Sequence, residues 1–453
     1  MKMNSKIILI FSLALMLLSY PGNSKSITTP AVLVTIKRNY DPTANEKVKL
    51  VLNWKELSDR LPGLRASNIV LTDQHYGVVL PVRINDVNGD TKPDQVVFDY
   101  TFGSTEPVFT FGVDGSGKGG TLTTEQIQPD GKFEINYLVH FKDPGTGKTI
   151  AERIVESTIH TYPDPKTLSI ISPGKWTYEY GFFLNGTYQL GQLKNNETYY
   201  QYLKTWVDGF IGSDGHLKPE SYDQKEYRLD DILPGRLCIW LYQKTGEQKY
   251  KNVADDFITH LTKQPKTSEG GYWHKEIYPY QMWLDGIFMG DIFSLQYGTT
   301  FKNPHWVDEA TLQIRLMYKN VIDPKTGLLY HGWDESKNKV WADPVRGTSP
   351  EFWSRAIGWY VMALIEALDY LPQDHPERKS IELNFQKLCA SIKNYQDKDN
   401  GLWYQVIDKG NLNDNWIETS GSAMFTFAFA KGYHKGLLDK SFEASSLKAF
   451  DAM

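Results

Sequence analysis

The chain has 453 residues, with 49 Lys and Arg against 54 Asp and Glu, for a formal net charge of −5. That length favours two or more domains, and the mild negative balance gives no electrostatic case for nucleic acid or an anionic membrane surface. An anionic substrate would need a local cluster of cations, and the 13 Trp and 27 Tyr suit stacking against sugar rings.

Taken in chain order, Lys2 and Lys6 precede an apolar run at 7–18, followed by Pro21-Gly22-Asn23-Ser24. The run is too short for a good membrane span and has the layout of a secretory signal, so residues 1–24 are expected to be removed. No Cys lies nearby to carry a lipid anchor and no second span follows, which predicts a secreted or periplasmic mature chain. Strand-like runs come next, at 31–36, 48–52, 78–84, 96–100, 109–113, 133–141 and 168–171. They are β-branched or aromatic and separated by Gly, Asp, Asn and Pro, which predicts an antiparallel β-sandwich over 27–172. Within it, Asp86-Val-Asn88-Gly-Asp90-Thr-Lys-Pro-Asp94 sets hard oxygens at alternate positions, as a calcium loop does. Val97 stands where the bidentate Glu of such a loop belongs, so a polar turn is the better reading than calcium.

After Pro173 the pattern turns helical. Helices are predicted at 178–193, 229–244, 281–297, 352–370 and 418–433, each followed by a partner at 196–211, 248–263, 306–321, 377–395 and from 439 onward. The first set is rich in aromatic and small residues, as inner helices are, and the second is amphipathic, as an outer layer is. Turns recur at Ser213-Asp-Gly, Glu269-Gly-Gly, Lys325-Thr-Gly and Asp399-Asn-Gly, each followed by an aromatic or aliphatic pair. Paired helices of this kind predict an all-α (α/α)6 toroid over 173–453, with a solenoid as the competing architecture. Cys238 and Cys389, the two cysteines, fall on predicted helices among apolar neighbours and read as buried free thiols rather than a disulfide. No Cys/His metal-ligand spacing is present, and no metal is expected.

The chemistry gathers at or just before the inner helices. Asp285 lies in the aromatic stretch Tyr278-Pro-Tyr-Gln-Met-Trp-Leu-Asp, where an apolar setting is expected to hold its proton and suit it to acid catalysis. The alternative is a buried structural acid. Asp230 and Asp231 sit at a helix start; either could cap it, but only one can. Arg355, between Trp353 and Trp359, could pair with an outer acid or meet a specific anion. His331 could be a hydrogen-bonded loop histidine, and Trp283 and Trp353 could be core. With Trp176-Thr-Tyr178 and the weakest, Glu418-Thr-Ser-Gly-Ser, six such features spaced by one hairpin each favour a shared sugar-acid site.

The stretches Gly270-Gly-Tyr-Trp-His-Lys-Glu-Ile-Tyr-Pro-Tyr-Gln-Met-Trp-Leu-Asp-Gly, Thr326-Gly-Leu-Leu-Tyr-His-Gly-Trp-Asp-Glu, Ser349-Pro-Glu-Phe-Trp-Ser-Arg-Ala-Ile-Gly-Trp-Tyr and Glu418-Thr-Ser-Gly-Ser carry a resemblance. From about Trp176 the chain resembles the unsaturated rhamnogalacturonyl hydrolases of glycoside hydrolase family 105 and, more distantly, the unsaturated glucuronyl hydrolases of family 88. The resemblance implies an α/α toroid, a catalytic role for Asp285 and a second active-site acid in Asp230. It places Tyr178, Lys275, His331, Trp353 and Arg355 at substrate-contacting positions, with Trp283 a further contact. It implies no cofactor, an unsaturated uronyl oligosaccharide as substrate, and hydration of a C4=C5 double bond in which Asp285 acts as acid and then base. The family continues with another hairpin, so the toroid is expected to be truncated here, with its last hairpin missing. Competing readings are a glucuronyl hydrolase, a non-catalytic glycan-binding protein, and a sugar epimerase using His274 and His331.

Overall fold

A computed structural model describes residues 31–38, 47–61, 64–73, 78–101, 108–113, 122–123, 133–140, 148–168 and 174–453. The expected signal at 1–24 and all but Leu168 of the run at 168–171 lie outside them. Two compact units divide between Lys148 and Thr149.

The first unit is built of two sheets. One has the order β4 (Val78–Leu80), β3 (Ile69–Asp73), β7 (Val108–Val113), β1 (Ala31–Arg38) and β9 (Phe133–His140). The other runs β2 (Lys47–Asn53), β6 (Gln95–Thr101), β5 (Arg83–Asn85) and β8 (Leu122–Thr123). Alternate residues of both sheets share one core. Val32, Val34, Leu71, Phe109 and Phe111 from the first meet Leu50, Leu52, Ile84, Val96 and Phe98 from the second. The ring of Phe98 packs edge-on to Phe109 at 5.1 Å. The expectation of a wholly antiparallel sandwich needs one correction, because β5 and β8 pair in parallel, Ile84 opposite Leu122. The strand β3 and the short helix Trp54–Arg60 were not expected.

The second unit is helical and begins earlier than expected, which moves the division from 172/173 to 148/149. The reason is the helix Ile150–Thr161, whose start is locked by a capping box between Thr149 and Glu152. Its β-branched content resembles a strand, but Ala151 and Val155 bury on one side at helical spacing.

From Tyr178 onward, inner and outer helices alternate. The pairs are Tyr178–Lys194 with Glu197–Phe210, Gly235–Thr245 with Gln248–Lys263, Ile292–Thr300 with Pro304–Val321, Ser354–Tyr370 with Arg378–Lys393, and Thr419–His434 with Lys440–Ala452. The inner Ser354–Tyr370 helix buries every residue from Ala356 to Leu368, as a helix surrounded by protein must. The outer Gln248–Lys263 helix buries Tyr250, Val253, Ala254, Phe257, His260 and Leu261, a single stripe. Pairing of this kind has the form of an α/α toroid. At the repeated turns Gly215, Gly270, Gly327 and Gly401 all adopt positive φ, between 72° and 94°. A side chain is disfavoured there, which accounts for the recurrent glycine. Cys238 and Cys389 are free and buried. Among the described residues no helix is long and apolar enough to cross a membrane.

Candidate active site

Two of the expected inner helices do not start as helices, and those departures make the site. The segment predicted to be helical from 281 opens as strand β10 (Gln281–Trp283), paired antiparallel with β11 (Gly332–Asp334) so that Trp283 faces Gly332. The ladder continues as the Leu284 amide donates to the His331 carbonyl at 3.0 Å. Asp285 and His331 are thereby placed side by side, with His331 Nε2 3.1 Å from Asp285 Oδ2. The chain then turns through Leu284–Gly286 and a π-helical turn, Ile287–Asp291, before settling into the α-helix from Ile292. Such turns recur at functional sites. A side chain on Gly286 would crowd Leu229 at 2.9 Å and His274 at 3.2 Å, so this glycine lets the Asp285 turn approach the neighbouring loops.

The segment predicted to be helical from 229 begins instead as a 3-10 turn, Leu229–Ile232, and becomes α-helical only after Pro234. Neither Asp230 nor Asp231 caps it through its side chain. Asp230 turns to side chains of another loop, with Lys275 Nζ 2.8 Å and His274 Nε2 3.3 Å from its carboxylate. Burial acts upward on its pKa, but the charges and contacts of His274 and Lys275 outweigh it, holding Asp230 well below the usual carboxylate range. Asp231 goes the other way. Burial pushes it up to about 7; Asp230 and Glu226 add to the rise, and Arg228, 3.6 Å away, opposes it.

Aromatic rings tie the acids together. Trp283 stacks between His274 at 4.6 Å and Tyr278 at 4.8 Å, and tilts against His331 at 5.2 Å. His331 meets Trp353 edge-on at 4.9 Å, and the Arg355 guanidinium lies 4.3 Å over the Trp353 ring. Tyr178, in the first turn of its helix, packs on Trp359; burial and then the charges of Glu179 and Asp230 hold its hydroxyl un-ionised. All eight expected residues therefore gather: Tyr178, Asp230, Lys275, Trp283, Asp285, His331, Trp353 and Arg355.

The expectation that the apolar setting alone would hold the proton on Asp285 is corrected. Burial does act upward most strongly, but His331, and more weakly His274, pull the Asp285 pKa below its ordinary value. The 3.1 Å contact is close but not an aligned hydrogen bond, since Asp285 Oδ2 and His331 Nε2 are both buried without a hydrogen-bond partner.

Two contributors were underweighted or missed. Glu418, in the weakest motif, is 2% exposed. It accepts from Trp353 Nε1 at 2.9 Å, Ser354 Oγ at 2.9 Å and Ser420 Oγ at 3.0 Å, and pairs with Arg355 at 3.1 Å. Trp341 was not singled out. With Trp283, His331, Trp353 and Glu351 it lines a cavity of about 270 Å³ beside the acids. An indole in the 336–349 loop was the available signal. Among the described residues no group of three or more His, Cys, Asp or Glu could hold a metal.

An alternating-helix unit whose inner-helix starts gather two carboxylates and two imidazoles next to a cavity lined by indoles suits a glycan-processing protein. Residues 150–453 match the family described as Glycosyl Hydrolase Family 88, and the chain belongs to that family. It is 34% identical to a solved glycoside hydrolase of family 105 from C. acetobutylicum, with a TM-score of 0.62 over 66% of this chain and 81% of that one. It is 27% identical to the unsaturated rhamnogalacturonyl hydrolase YesR of Bacillus subtilis over 55% of this chain and 68% of that protein. Protein Atu3128 of Agrobacterium fabrum is 41% identical over 33% of this chain, a match spanning 63% of that relative's length.

Proposed function

We propose that this protein is a glycoside hydrolase that removes a 4,5-unsaturated galacturonic acid from the non-reducing end of rhamnogalacturonan oligosaccharides. The observation that carries the reading is Asp285, set against His331 and near enough to a second acid, Asp230, to feel its charge, which Lys275 and His274 hold. Similarity to the rhamnogalacturonyl hydrolase of Bacillus subtilis supports the substrate class.

Asp285 donates its proton to C4 of the enol ether, and positive charge develops at C5 and the ring oxygen. The ionised Asp285 then takes a proton from water as that water's oxygen bonds to C5. The hemiketal opens, the glycosidic bond breaks, and one water has been added. One carboxyl thus serves as acid and then base. In the empty site the imidazoles pull its pKa down. A bound uronate adds negative charge nearby and excludes water, and both act upward, so the acid is loaded by its substrate. Asp230 orients sugar hydroxyls and adds to that upward push. Lys275 and Arg355 supply cations for the uronate or its neighbouring sugar, and Tyr178, Trp283 and Trp353 supply ring faces. The secretory layout of residues 1–24 supports a reaction outside the cytoplasm.

The test is loss of ultraviolet absorbance from the conjugated double bond when the protein meets unsaturated galacturonyl-rhamnose and unsaturated glucuronyl disaccharides. Fastest loss on the galacturonyl substrate is expected. Faster loss on a glucuronyl substrate would favour a second reading. That reading has support in 30% identity over 181 residues to an unsaturated 3S-rhamnoglycuronyl hydrolase of Formosa agariphila. Binding without any loss of absorbance would mark a non-catalytic glycan binder.

A further inference from the structure

The loop carrying Arg228 and Asp230 and the loop carrying His274 and Lys275 belong to different hairpins, yet the Asp230 contacts require them to be in register. Two backbone hydrogen bonds join them directly. The Leu229 amide donates to the His274 carbonyl at 3.2 Å, and the Glu276 amide to the Glu226 carbonyl at 3.0 Å. Between these loops lies the side chain of Gln264, 3% exposed, immediately after the Gln248–Lys263 helix. Its amide nitrogen donates to the Tyr227 carbonyl at 2.8 Å and to the Trp273 carbonyl at 2.7 Å. Those residues directly precede Arg228 and His274.

We propose that Gln264 is a positioning residue that clamps the two loops together and so sets the Asp230–His274–Lys275 geometry, with His260 and Tyr222 fixing the orientation of its amide. This deepens the function proposed above and rests on it for its catalytic consequence.

The orientation is forced. Both carbonyls can only accept, so the Gln264 nitrogen must face them and its Oε1 must face away. There Oε1 lies 2.8 Å from His260 Nε2, which therefore carries the ring proton. His260 Nδ1 is left bare and accepts from the Tyr222 hydroxyl. Burial pushes the His260 pKa down to about 4, so the ring stays in the neutral form that this chain of bonds needs. The clamp also holds strain. Tyr227 adopts a left-handed conformation, φ 43°, which is rare for a bulky residue and persists only where surroundings over-determine it. Its ring packs edge-on to His260 at 5.3 Å and its carbonyl is held by Gln264.

Gln264→Glu tests the clamp, because it is nearly isosteric but turns a carboxylate oxygen toward two carbonyls. Tyr222→Phe is a gentler second variant that leaves the packing and frees the His260 proton to move. Hydrogen exchange at the Leu229 and Glu276 amides is expected to speed up in both variants, more in Gln264→Glu, while the Ser354–Tyr370 helix keeps its protection. Turnover is expected to fall about tenfold to a hundredfold in Gln264→Glu. The acidic limb of kcat/KM should move upward as Asp230 loses its close contacts with Lys275 and His274. A lowered Tm with unchanged exchange at those two amides and an unchanged pH profile would overturn the proposal. If the wild-type protein turns over no unsaturated disaccharide, the proposed function fails, and the exchange measurement still decides the clamp.

Discussion

Each unit of the molecule holds a cluster of acids in a turn, and the two clusters use their oxygens in opposite ways. In the β unit, Asp86 accepts from the backbone amides of Gly89 at 2.7 Å, Asp90 at 3.2 Å and Thr91 at 2.7 Å, and Asp94 accepts from the Val87 amide at 2.7 Å. In the helical unit, Asp230 and Asp285 face side chains of other loops: Lys275, His274 and His331. A carboxylate satisfied by its own turn shapes that turn. One that faces side chains of other loops is left with oxygens that a substrate can reach, which is what chemistry needs. The polar-turn reading of Asp86–Asp94 fits the first role.

The largest effect that would break this contrast is at Asp285. Asp285→Asn is expected to cut turnover at least about a thousandfold while circular dichroism and Tm stay near wild type. Retained turnover of an unsaturated disaccharide would remove Asp285 from its role. Next is Glu418→Gln, which takes the countercharge from Arg355 and weakens the hold on Trp353. Roughly a tenfold to hundredfold loss of kcat/KM is expected, with KM carrying most of it; an unchanged KM would show that Arg355 does not meet substrate. Asp86→Ala should cost the β unit about 1–3 kcal/mol, read by denaturant unfolding, and leave turnover untouched. Calcium or a chelator should not move the stability of that unit, and a rise of several degrees with calcium would turn the turn into an ion site. The smallest effect is expected at Asp231, where the folded carboxyl, at about 7, lies above its ordinary value of 3.8. The folded state therefore holds a proton that the unfolded chain gives up, and stability falls as pH rises from about 4 to about 7. Asp231→Asn removes that loss, so its Tm gain over wild type should be near zero at pH 4 and a few degrees at pH 8. An equal gain at both pH values would contradict the buried setting of Asp231.

Much of the helical unit was legible because its signals are local. The end of the Gln248–Lys263 helix and the start of the inner helix at Tyr178 follow from apolar spacing and flanking polar residues. The glycine of each repeated turn is demanded by its positive φ. The helix Ile150–Thr161 was not expected, although its Thr149–Glu152 capping box was readable, because its β-branched residues weaken the helical signal. Strand β10 was missed for a different reason. Nothing in Gln281-Met-Trp marks it as extended apart from its partner at Gly332–Asp334, some 50 residues on.

The sequence by itself determined the alternation of helices, the aromatic and acidic content of the inner-helix starts, and the family to which they belong, since periodicity and motif are properties of neighbours along the chain. Only the tertiary structure decided what each acid meets. Asp230 and Asp231 are adjacent in the chain and equally buried. One is held ionised by Lys275 and His274, and the other is pushed up to about 7 by burial that Arg228 only partly offsets. The proton on Asp285 was likewise not decided by its aromatic neighbours in sequence but by His331, brought beside it by a two-stranded ribbon. Electrostatic energy depends on distance in space, and a turn of a few degrees at a loop can change which charge a side chain faces.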